Sequence, residues 1–326
     1  MGKRVSILVF LIVFSSGAFV TYSDAKEYPT RPVDLICSLS PGTSTDLMSR
    51  VAAEMAQKQL GQPFVVVNKP GAGGSLAAAE VIASKPDGYK LLVTFNSFFG
   101  TTAKTQKAPF DPNDLVPIGN MFQFKLGMFV KNDSPWKTFN DLLEYGKKNP
   151  GKLRWNHTGR GTTEHMSALL IFRKAGIEGI DIPSRGGGAE KLAQLLGGHV
   201  DASCGTYGTN KDQVTAGKIR YLIFFNDRRF KDPSNVPSAT ELGFPEATKF
   251  SVLVGLYAHK DTPENVKKTL IEVFKKIFQD PEFEKKIESL GEEPKYGGPE
   301  FLKEANRKLE EAGVPILKEL GLYVGK

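Results

Sequence analysis

Short apolar runs alternate with amphipathic runs along most of the chain, and this alternation predicts an α/β fold. Val33–Cys37, Phe64–Val67 and Leu91–Phe95 have the length and apolar content of buried strands. Runs with alanine or methionine at helical spacing follow the first two of them. We therefore predict β–α units whose parallel strands end at one edge of a sheet, which is where ligands bind in open α/β folds.

The pattern repeats after residue 150 and predicts a second lobe. Leu153–Asn156, Gly179–Ile182 and Val200–Cys204 are predicted strands, with helical spacing after the first two. Two further extended segments, Ile118–Val130 and Phe250–Tyr257, are predicted to carry the chain into the second lobe and back. The amphipathic helices near the C-terminus are expected to pack on the first lobe. The predicted division is residues 26–126 and 250–326 for lobe 1 and residues 127–249 for lobe 2.

The first 25 residues have the pattern of a secretory signal peptide. Lys3-Arg4 is a positive n-region, Val5–Phe14 is an apolar core, and Ser23-Asp24-Ala25 is a cleavage site with small residues. The apolar core is shorter than the roughly 20 residues that a membrane span needs. We predict export to the periplasm with cleavage after Ala25.

Charge, cysteine and histidine content narrow the class of function. The formal net charge of +7 is spread along the chain, whereas nucleic-acid binding needs clustered basic side chains with interleaved aromatics. Cys37 and Cys204 fall in different predicted lobes, so we expect two separate buried thiols rather than a disulfide. His157, His199 and His259 show no metal-ligand spacing, and we predict no metal and no cofactor.

Glycine-rich turns at the ends of predicted strands are candidates for anion binding. Pro41–Asp46 and Gly71–Gly74 each lie between a strand and a helix. A helix N-terminus offers unsatisfied N–H groups and a partial positive charge, and glycine lets a ligand approach the main chain. A third strand end, Phe95-Asn96, points to the same edge, and His157–Thr163 and Ser184–Gly188 repeat the arrangement in lobe 2.

Short motifs rich in proline, glycine and asparagine follow one another in a fixed order after residue 26. They are Tyr28-Pro-x-Arg-Pro-Val, Pro41-Gly-x-x-Thr-Asp46, Gly61-Gln-Pro-x-Val-Val-Val-Asn68-Lys-Pro-Gly-Ala-Gly-Gly74, Pro86-Asp-Gly-Tyr89, Asn149-Pro-Gly-Lys152, Gly159-x-Gly-Thr-x-x-His165, Gly186-Gly-Gly, Leu195-Leu-Gly-Gly-x-Val-Asp201, Ala216-Gly-Lys218, Val236-Pro237 and Glu241-x-Gly-x-Pro245. In number and order they strongly resemble the Bug family, the solute-binding proteins of tripartite tricarboxylate transport systems.

The resemblance implies a fold, a ligand class and a partner. The expected fold is an α/β, two-lobed, periplasmic-binding-protein-like (type II) Venus flytrap with a mixed sheet in each lobe. The expected ligand is a small molecule with a carboxylate, bound between the lobes without a metal or cofactor. The expected partners are the membrane permease subunits of a tripartite tricarboxylate-type transporter. We expect a monomer that is not an enzyme.

The resemblance also assigns the ligand site to loops at the strand ends of both lobes. In lobe 1 the loops Pro41–Asp46 and Gly71–Gly74 would hold the ligand's carboxylate, partly through backbone amides and ordered water. Lobe 2 would contribute two loops and the turn after Cys204. The predicted ligand-binding residues are Pro41, Gly42, Thr43, Ser44, Thr45, Asp46, Gly71, Ala72, Gly73, Gly74, Phe95, Asn96, Thr158, Arg160, Gly161, Thr162, Thr163, His165, Arg185, Gly186, Gly187, Gly205 and Thr206.

The sequence departs from the family pattern at three positions that bear on ligand specificity. Thr43-Ser44 stands where the family usually has glycines, so hydroxyl groups would contact the ligand or narrow the pocket. Gly205 stands where an aspartate is usual, which would leave Arg160 and Arg185 without its compensating charge. We therefore predict a ligand with at least one carboxylate and no ammonium group. The alternative is that Asp46 faces the pocket and accepts a cation, although its position favours helix capping.

Three other side chains each keep two interpretations. His165 either hydrogen-bonds the neighbouring loop or contacts the ligand directly. Arg160 and Arg185 either line the pocket, where arginine suits a carboxylate, or are solvated or paired with Glu164 or Glu190.

The two alternative classes of function are an enzyme and a ligand carrier for a sensor kinase. An enzyme is disfavoured because no nucleophile elbow and no phosphate-binding lysine motif occurs, and Gly71-Ala-Gly-Gly-Ser-Leu76 fails the dinucleotide fingerprint. A ligand carrier that docks on a sensor kinase has the same sequence features as a transport receptor, so that alternative stays open.

Overall fold

Two mixed sheets form the framework of the computed structural model, which describes residues 28–106, 109–184 and 187–324. The strands are β1 Val33–Cys37, β2 Phe64–Asn68, β3 Lys90–Phe95, β4 Leu115–Gln123, β5 Leu126–Lys131, β6 Arg154–His157, β7 Ile180–Pro183, β8 Ala202–Thr206, β9 Ile219–Phe224, β10 Leu253–His259 and β11 Glu293–Gly297. The helices are α1 Ser44–Leu60, α2 Ser75–Ile82, α3 Asn96–Gly100, α4 Phe139–Lys148, α5 Thr163–Ala175, α6 Gly187–Leu196, α7 Tyr207–Thr215, α8 Glu264–Phe278, α9 Pro281–Ser289 and α10 Pro299–Glu319.

The first sheet has the strand order β11-β4-β10-β3-β1-β2. Strands β1, β2 and β3 run parallel, with Ile36 opposite Val67 on one side and Leu92 on the other. Strand β10 runs antiparallel to both β3 and β4, and β11 runs antiparallel to β4. The three parallel strands therefore end at one edge, as their apolar pattern predicts.

The second sheet has the order β7-β6-β8-β5-β9. Strands β6, β7 and β8 are parallel, and β5 is antiparallel to its two neighbours β8 and β9. Each sheet thus combines three parallel strands with antiparallel ones. The predicted two-lobed α/β fold with a mixed sheet in each lobe is confirmed.

The long segment Ile118–Val130 does not form one continuous strand. It divides into β4 of the first sheet and β5 of the second, with Phe124 and Lys125 between them. The chain returns beside this crossing, where Phe124 N donates to Val252 O at 2.9 Å. The predicted boundaries at residues 126 and 250 fall at these two crossings, and the exact division stays a prediction.

Helices cover both faces of the first sheet. Thr43 caps α1 at its start, and Gly61, with a φ of 70°, ends it in the left-handed conformation that glycine adopts without strain. Leu270 and Phe274 of α8 are buried against this sheet. Full burial of one such side chain stabilises the fold by about 1.5–3 kcal/mol.

The last helix, α10, packs on lobe 1, as the amphipathic pattern of the C-terminal helices predicts, and also contacts lobe 2. It packs against α3 and β4 of the first lobe, and Leu309 in its middle lies against Gly100 at the end of α3. Leu309, Ile316 and Leu317 in its later turns share a buried cluster with Met166 of α5 in the second lobe. The amphipathic stripe of α10 therefore continues past the end of the first lobe, and sequence periodicity does not show which partner covers each turn.

The two cysteines lie in separate sheets. Cys37 is on β1 and Cys204 is on β8, and both are buried free thiols, as predicted. Burial raises the pKa of both thiols. Separately, a search of the described part of the chain finds no helix long and apolar enough to cross a membrane.

We predict that neither thiol reacts in the native protein. Purified without reductant and treated with iodoacetamide, the folded mature chain should gain no adduct by mass spectrometry, because alkylation needs an accessible thiolate. Unfolding in guanidinium should expose both Cys37 and Cys204 to alkylation. An adduct before unfolding, or a chain that needs reductant to react, would contradict the structure.

Candidate functional site

The first loop, Pro41–Asp46, is held by its own side chains. Thr43 Oγ1 accepts from Asp46 N at 3.3 Å and caps α1. Asp46 Oδ2 accepts from Gly42 N at 2.9 Å, and its Oδ1 accepts from Asn68 Nδ2 at 2.9 Å. With only 2% of its surface exposed, the carboxylate faces inward. Thr43 is therefore the helix cap, and Asp46 in the first turn closes the loop before the helix; whether Asp46 contacts a ligand stays a prediction.

This arrangement pairs the Asp46 carboxylate with donors of its own lobe but leaves two main-chain N–H groups without an acceptor in the described chain. Burial opposes its ionisation, yet hydrogen bonds from Arg50 and two neighbouring groups together lower the pKa of Asp46. Ser44 N and Thr45 N, at the start of α1, donate to no group in the described chain. The loop therefore has two N–H groups without an acceptor beside the partial positive charge of a helix N-terminus, and Thr45 itself is fully buried.

The second loop, Gly71–Gly74, has positive φ at four consecutive residues. A Cβ on Gly73 would overlap Thr102 Cγ2, so a segment of the same lobe covers this loop. Gln106 extends the contact, since its Nε2 donates to Ala72 O at 3.1 Å. The N–H groups of Ala72 and Gly73 have no hydrogen-bond acceptor among the described residues.

Phe95 and Asn96 brace the return crossing. Asn96 Nδ2 donates to Ser251 O at 3.1 Å, and Asn96 Oδ1 accepts from Leu253 N at 2.9 Å. The Phe95 ring lies 5.9 Å from that of Phe124 on the other crossing. Contact of either residue with a ligand stays a prediction.

In the second lobe, the loop before α5 reaches across to the first lobe. Its predicted first residue, His157, is the buried last residue of β6, so the loop begins at Thr158. Thr162 Oγ1 caps α5 by accepting from His165 N at 3.4 Å. A Cβ on Gly161 would lie 2.8 Å from Leu317 Cδ2 and 3.7 Å from Thr105 Cγ2. Loops of both lobes therefore meet beside the segment that covers the second loop.

Asp181 on β7 organises this second-lobe loop. Its Oδ2 and Oδ1 accept from Arg160 Nε and Nη2 at 2.7 and 2.9 Å. The Nε2 atoms of His157 and His165 lie 3.4 and 3.8 Å from the same Oδ2. Arg160 thus pairs with Asp181, a partner that sequence reasoning did not identify, and its guanidinium stays half exposed.

His157, His165 and Asp181 have the geometry of a metal site but the wrong protonation. Their ligand atoms lie within 4.8 Å of one another. However, His157 Nδ1 accepts from Gly159 N at 3.0 Å and His165 Nδ1 accepts from Gly161 N at 3.2 Å. These bonds assign the proton of each neutral ring to Nε2, which then faces the Asp181 carboxylate. A metal at Nε2 would force a proton onto each Nδ1, against a main-chain donor.

The same environment disfavours the charged forms of both rings. Burial lowers the pKa of His157, with Asp181 partly opposing it. Burial, followed by the charge of His157, lowers the pKa of His165 to about 4. The hydrogen bond from Gly161 N to His165 Nδ1 shows that His165 bonds the neighbouring loop, which is the first of the two interpretations given for this residue.

A buried ion pair supports the start of the same loop. Lys191 Nζ donates to both carboxylate oxygens of Glu164, at 2.8 and 2.7 Å, and to Cys204 O at 2.6 Å. Glu164 Oε2 also accepts from Thr158 N at 2.9 Å. A Cβ on Gly205 would lie 3.6 Å from Lys191 Nζ. A side chain at position 205 would therefore point into the lobe, which does not fit the expectation that its charge would compensate the cleft arginines.

The remaining predicted residues are only partly placed. Arg185 and Gly186 lie outside the described residues, and Gly187 begins α6. Thr206 precedes α7, and its Oγ1 lies 2.8 Å from Thr209 Oγ1. Sequence reasoning missed Asp181, Lys191 and Gln106 because each lies in a strand, helix or turn without a motif.

Two sheets joined by two adjacent crossings, with loops from both halves in contact, define a two-lobed solute-binding protein. The chain belongs to the tripartite tricarboxylate transporter receptor family, TctC, whose model matches residues 48–322. It is 32% identical over 322 residues to a Cupriavidus necator UPF0065 protein, covering 98% of this chain and 96% of that one. The family resemblance seen in the motifs is confirmed.

Solved structures agree with this assignment. A TctC solute-binding protein from Polaromonas is 28% identical with a TM-score of 0.73, covering 89% of this chain and 99% of that one. An R. palustris protein solved with adipate is 25% identical with a TM-score of 0.79, covering 90% of this chain and 98% of that one.

We predict that His165 makes folding sensitive to mild acid. The pKa of His165 is lower in the folded protein than the value near 6.5 expected in the unfolded chain. Its contribution to the free energy of unfolding is therefore complete above about pH 6.5. It should be lost as the pH falls towards 4, by at most about 3 kcal/mol. His165→Asn keeps an acceptor for Gly161 N and removes the ionisable ring, so its urea-unfolding free energy should fall less with acid.

The matched control is His199→Asn, which makes the same change at an exposed histidine. Its unfolding free energy should follow that of the wild type at each pH. Parallel curves for wild type and His165→Asn would show that another group carries the acid sensitivity.

Proposed function

We propose that this protein is a periplasmic receptor that binds a small carboxylate between its lobes and delivers it to a tripartite tricarboxylate-type permease. The observation that carries the proposal is a set of unused main-chain donors at the loops of the first lobe. Ser44, Thr45, Ala72 and Gly73 each keep an N–H group without an acceptor in the described chain. Such groups beside helix N-termini bind carboxylates.

The acidic side chains of these loops support an anion rather than a zwitterion. Asp46 is occupied by three donors, Asp181 by Arg160, and Glu164 by Lys191. An ammonium group on the ligand would therefore find no uncommitted carboxylate among these three. The adipate found in the R. palustris relative is a dicarboxylate without an ammonium group, which agrees with this preference.

The expected affinity is within reach of the available contacts. Micromolar binding corresponds to about 8 kcal/mol. Four or five charge-assisted hydrogen bonds at about 1.5–3 kcal/mol each supply that amount after the cost of ordering the ligand. Because the donors are fixed by capping and by side-chain bonds, little of their freedom is lost on binding.

Export, transporter delivery and the monomeric state belong to the same proposal. Receptors of this family act with membrane permeases, and the predicted signal peptide, residues 1–25, would place the chain in the periplasm. Uptake of labelled ligand in the producing organism should fall when either this gene or the permease genes are deleted. Uptake that continues without this protein, together with loss of a transcriptional response, would favour the sensor alternative.

We predict tighter binding of a dicarboxylate than of its amino-substituted form. Titration calorimetry with succinate against aspartate tests the addition of one ammonium group, and adipate against dimethyl adipate tests the loss of both carboxylate charges. Succinate should bind at least about tenfold more tightly than aspartate, a difference of about 1.4 kcal/mol. Tighter binding of aspartate, or equal binding of adipate and its diester, would refute the anion site.

We also predict that Gly73→Ala weakens binding of adipate or succinate, whichever wild type binds more tightly. The new Cβ would overlap Thr102 Cγ2 and displace the second loop. Gly151→Ala is the control, because Gly151 has a similar positive φ and nothing within 4 Å of its Cβ position. Both variants carry about 1–2 kcal/mol of backbone strain, so only Gly73→Ala should lose affinity beyond the effect on stability. Equal affinity in the two variants would place the ligand elsewhere.

A further inference from the structure

Glu292 is a buried carboxyl group that lies where three parts of the molecule meet. It precedes β11 and has 0% of its surface exposed. Ser44 Oγ of the first loop donates to its Oε1 at 3.3 Å, and Lys125 N of the crossing donates to its Oε2 at 3.2 Å. From the second lobe, Gly208 of α7 approaches so closely that a Cβ there would overlap Glu292 Oε1 and lie 2.8 Å from its Cδ.

Lys125 extends this contact into the second lobe. While its N–H bonds to Glu292, its carbonyl oxygen accepts from Tyr207 N at 2.8 Å. Its buried ammonium donates to Asp232 O at 2.6 Å and lies 3.7 Å from Glu293. One residue between the two sheets is therefore bonded to elements on both sides of it.

The two lobes touch here through the main chain. A Cβ on Gly291 would lie 3.0 Å from Gly208 Cα, and Lys211 Nζ donates to Ser289 O at 2.9 Å. Since no long side chain separates the backbones, a small relative displacement of the lobes changes the surroundings of Glu292 directly.

We propose that Glu292 is a positioning residue that couples the first ligand loop, through Ser44, to the crossing at Lys125 and to the start of α7. The coupling makes the loop and the second lobe change position together. The biological role of this coupling rests on the proposed function, because a receptor must link ligand contact to lobe closure. The contacts that carry it are independent of which ligand binds.

A proton accompanies this coupling. Burial raises the pKa of Glu292 to about 8, outweighing the hydrogen bonds from Lys125 and Ser44 and the charge of Lys125. Separation of the lobes would admit water and return the pKa towards its ordinary value near 4.5. Lobe contact therefore takes up a proton, is favoured at low pH and weakens as the pH rises from about 4.5 to about 8. The charged or titratable groups around Glu292 are Lys125 on the crossing, Tyr207 and Lys211 on α7, Tyr221 on β9, and Glu288 and Glu293 on its own segment.

The test is hydrogen exchange of the mature, ligand-free chain, measured on peptides that cover residues 207–211. Ser44→Ala should raise exchange there by about threefold or more, because the change is transmitted through Glu292. In a Glu292→Ala background the same substitution should add nothing further. No effect of Ser44→Ala on residues 207–211, or equal increments in both backgrounds, would overturn the coupling.

A second comparison separates coupling from simple structural support. Glu292→Gln keeps an acceptor for Lys125 N and cannot ionise, so exchange at residues 207–211 should match the wild type near pH 5 and be slower than the wild type at pH 7. After correction for intrinsic rates, wild-type exchange should rise between about pH 5 and pH 8, and that of Glu292→Gln should stay flat. An equal rise in both proteins would assign the titration to another group and overturn the proton linkage.

Calorimetry with succinate and adipate then connects the coupling to binding. At pH 7, Glu292→Ala should lower the affinity for the tighter-binding acid by about fivefold or more. Glu292→Gln should lower it by less than about twofold. If wild type binds neither acid, the proposed ligand class fails, while the exchange results still decide the coupling. If binding is unaffected by Glu292→Ala, the coupling to the ligand loop is refuted although the proposed function stands.

Discussion

The hydrogen bond from Phe124 N to Val252 O holds the two crossings of the chain side by side, and the arrangement of the lobes depends on it. Beside this bond, Asn96 fixes the returning segment through Ser251 O and Leu253 N. Two adjacent strands restrict relative motion of the lobes to bending and twisting about a narrow line. A single flexible linker would not keep loops of the two lobes opposite one another, so the double crossing is what makes an interlobe site possible.

Within that frame, Asp46 and Asp181 are paired inside their own lobes, and four main-chain donors of the first-lobe loops have no acceptor in the described part of the chain. Asp46 and Asp181 each bind donors from their own lobe, which fixes the loop shape before any ligand arrives. Because the ordering cost is met during folding, more of the interaction energy remains for the ligand. The same self-pairing occupies the acidic groups that would attract a cation, so the rigidity of the loops and the proposed anion preference have one physical cause.

The sequence predicted the local structure well because its signals are local. The apolar run Val33–Cys37 and the glycine turn after it are β1 and the start of α1. The segment Ile118–Val130 was predicted as one extended piece because no glycine or proline marks the bend at Phe124 and Lys125. Asp181 and Glu292 could not be identified at all, since their partners are distant in the chain and isolated carboxylates in a strand or turn carry no motif.

Position 205 shows how an internal contact changes an argument about the cleft. From the family pattern, an absent aspartate suggested a more positive ligand site. The structure instead places a Cβ at 205 inside the lobe, 3.2 Å from Asn210 Nδ2 and 3.6 Å from Lys191 Nζ, which is already paired with Glu164. A carboxylate there would compete with Glu164 for one ammonium and release the Thr158 N–H that Glu164 holds. The glycine therefore preserves the shape of the second-lobe loop, and the proposed anion preference rests on that shape rather than on a missing charge.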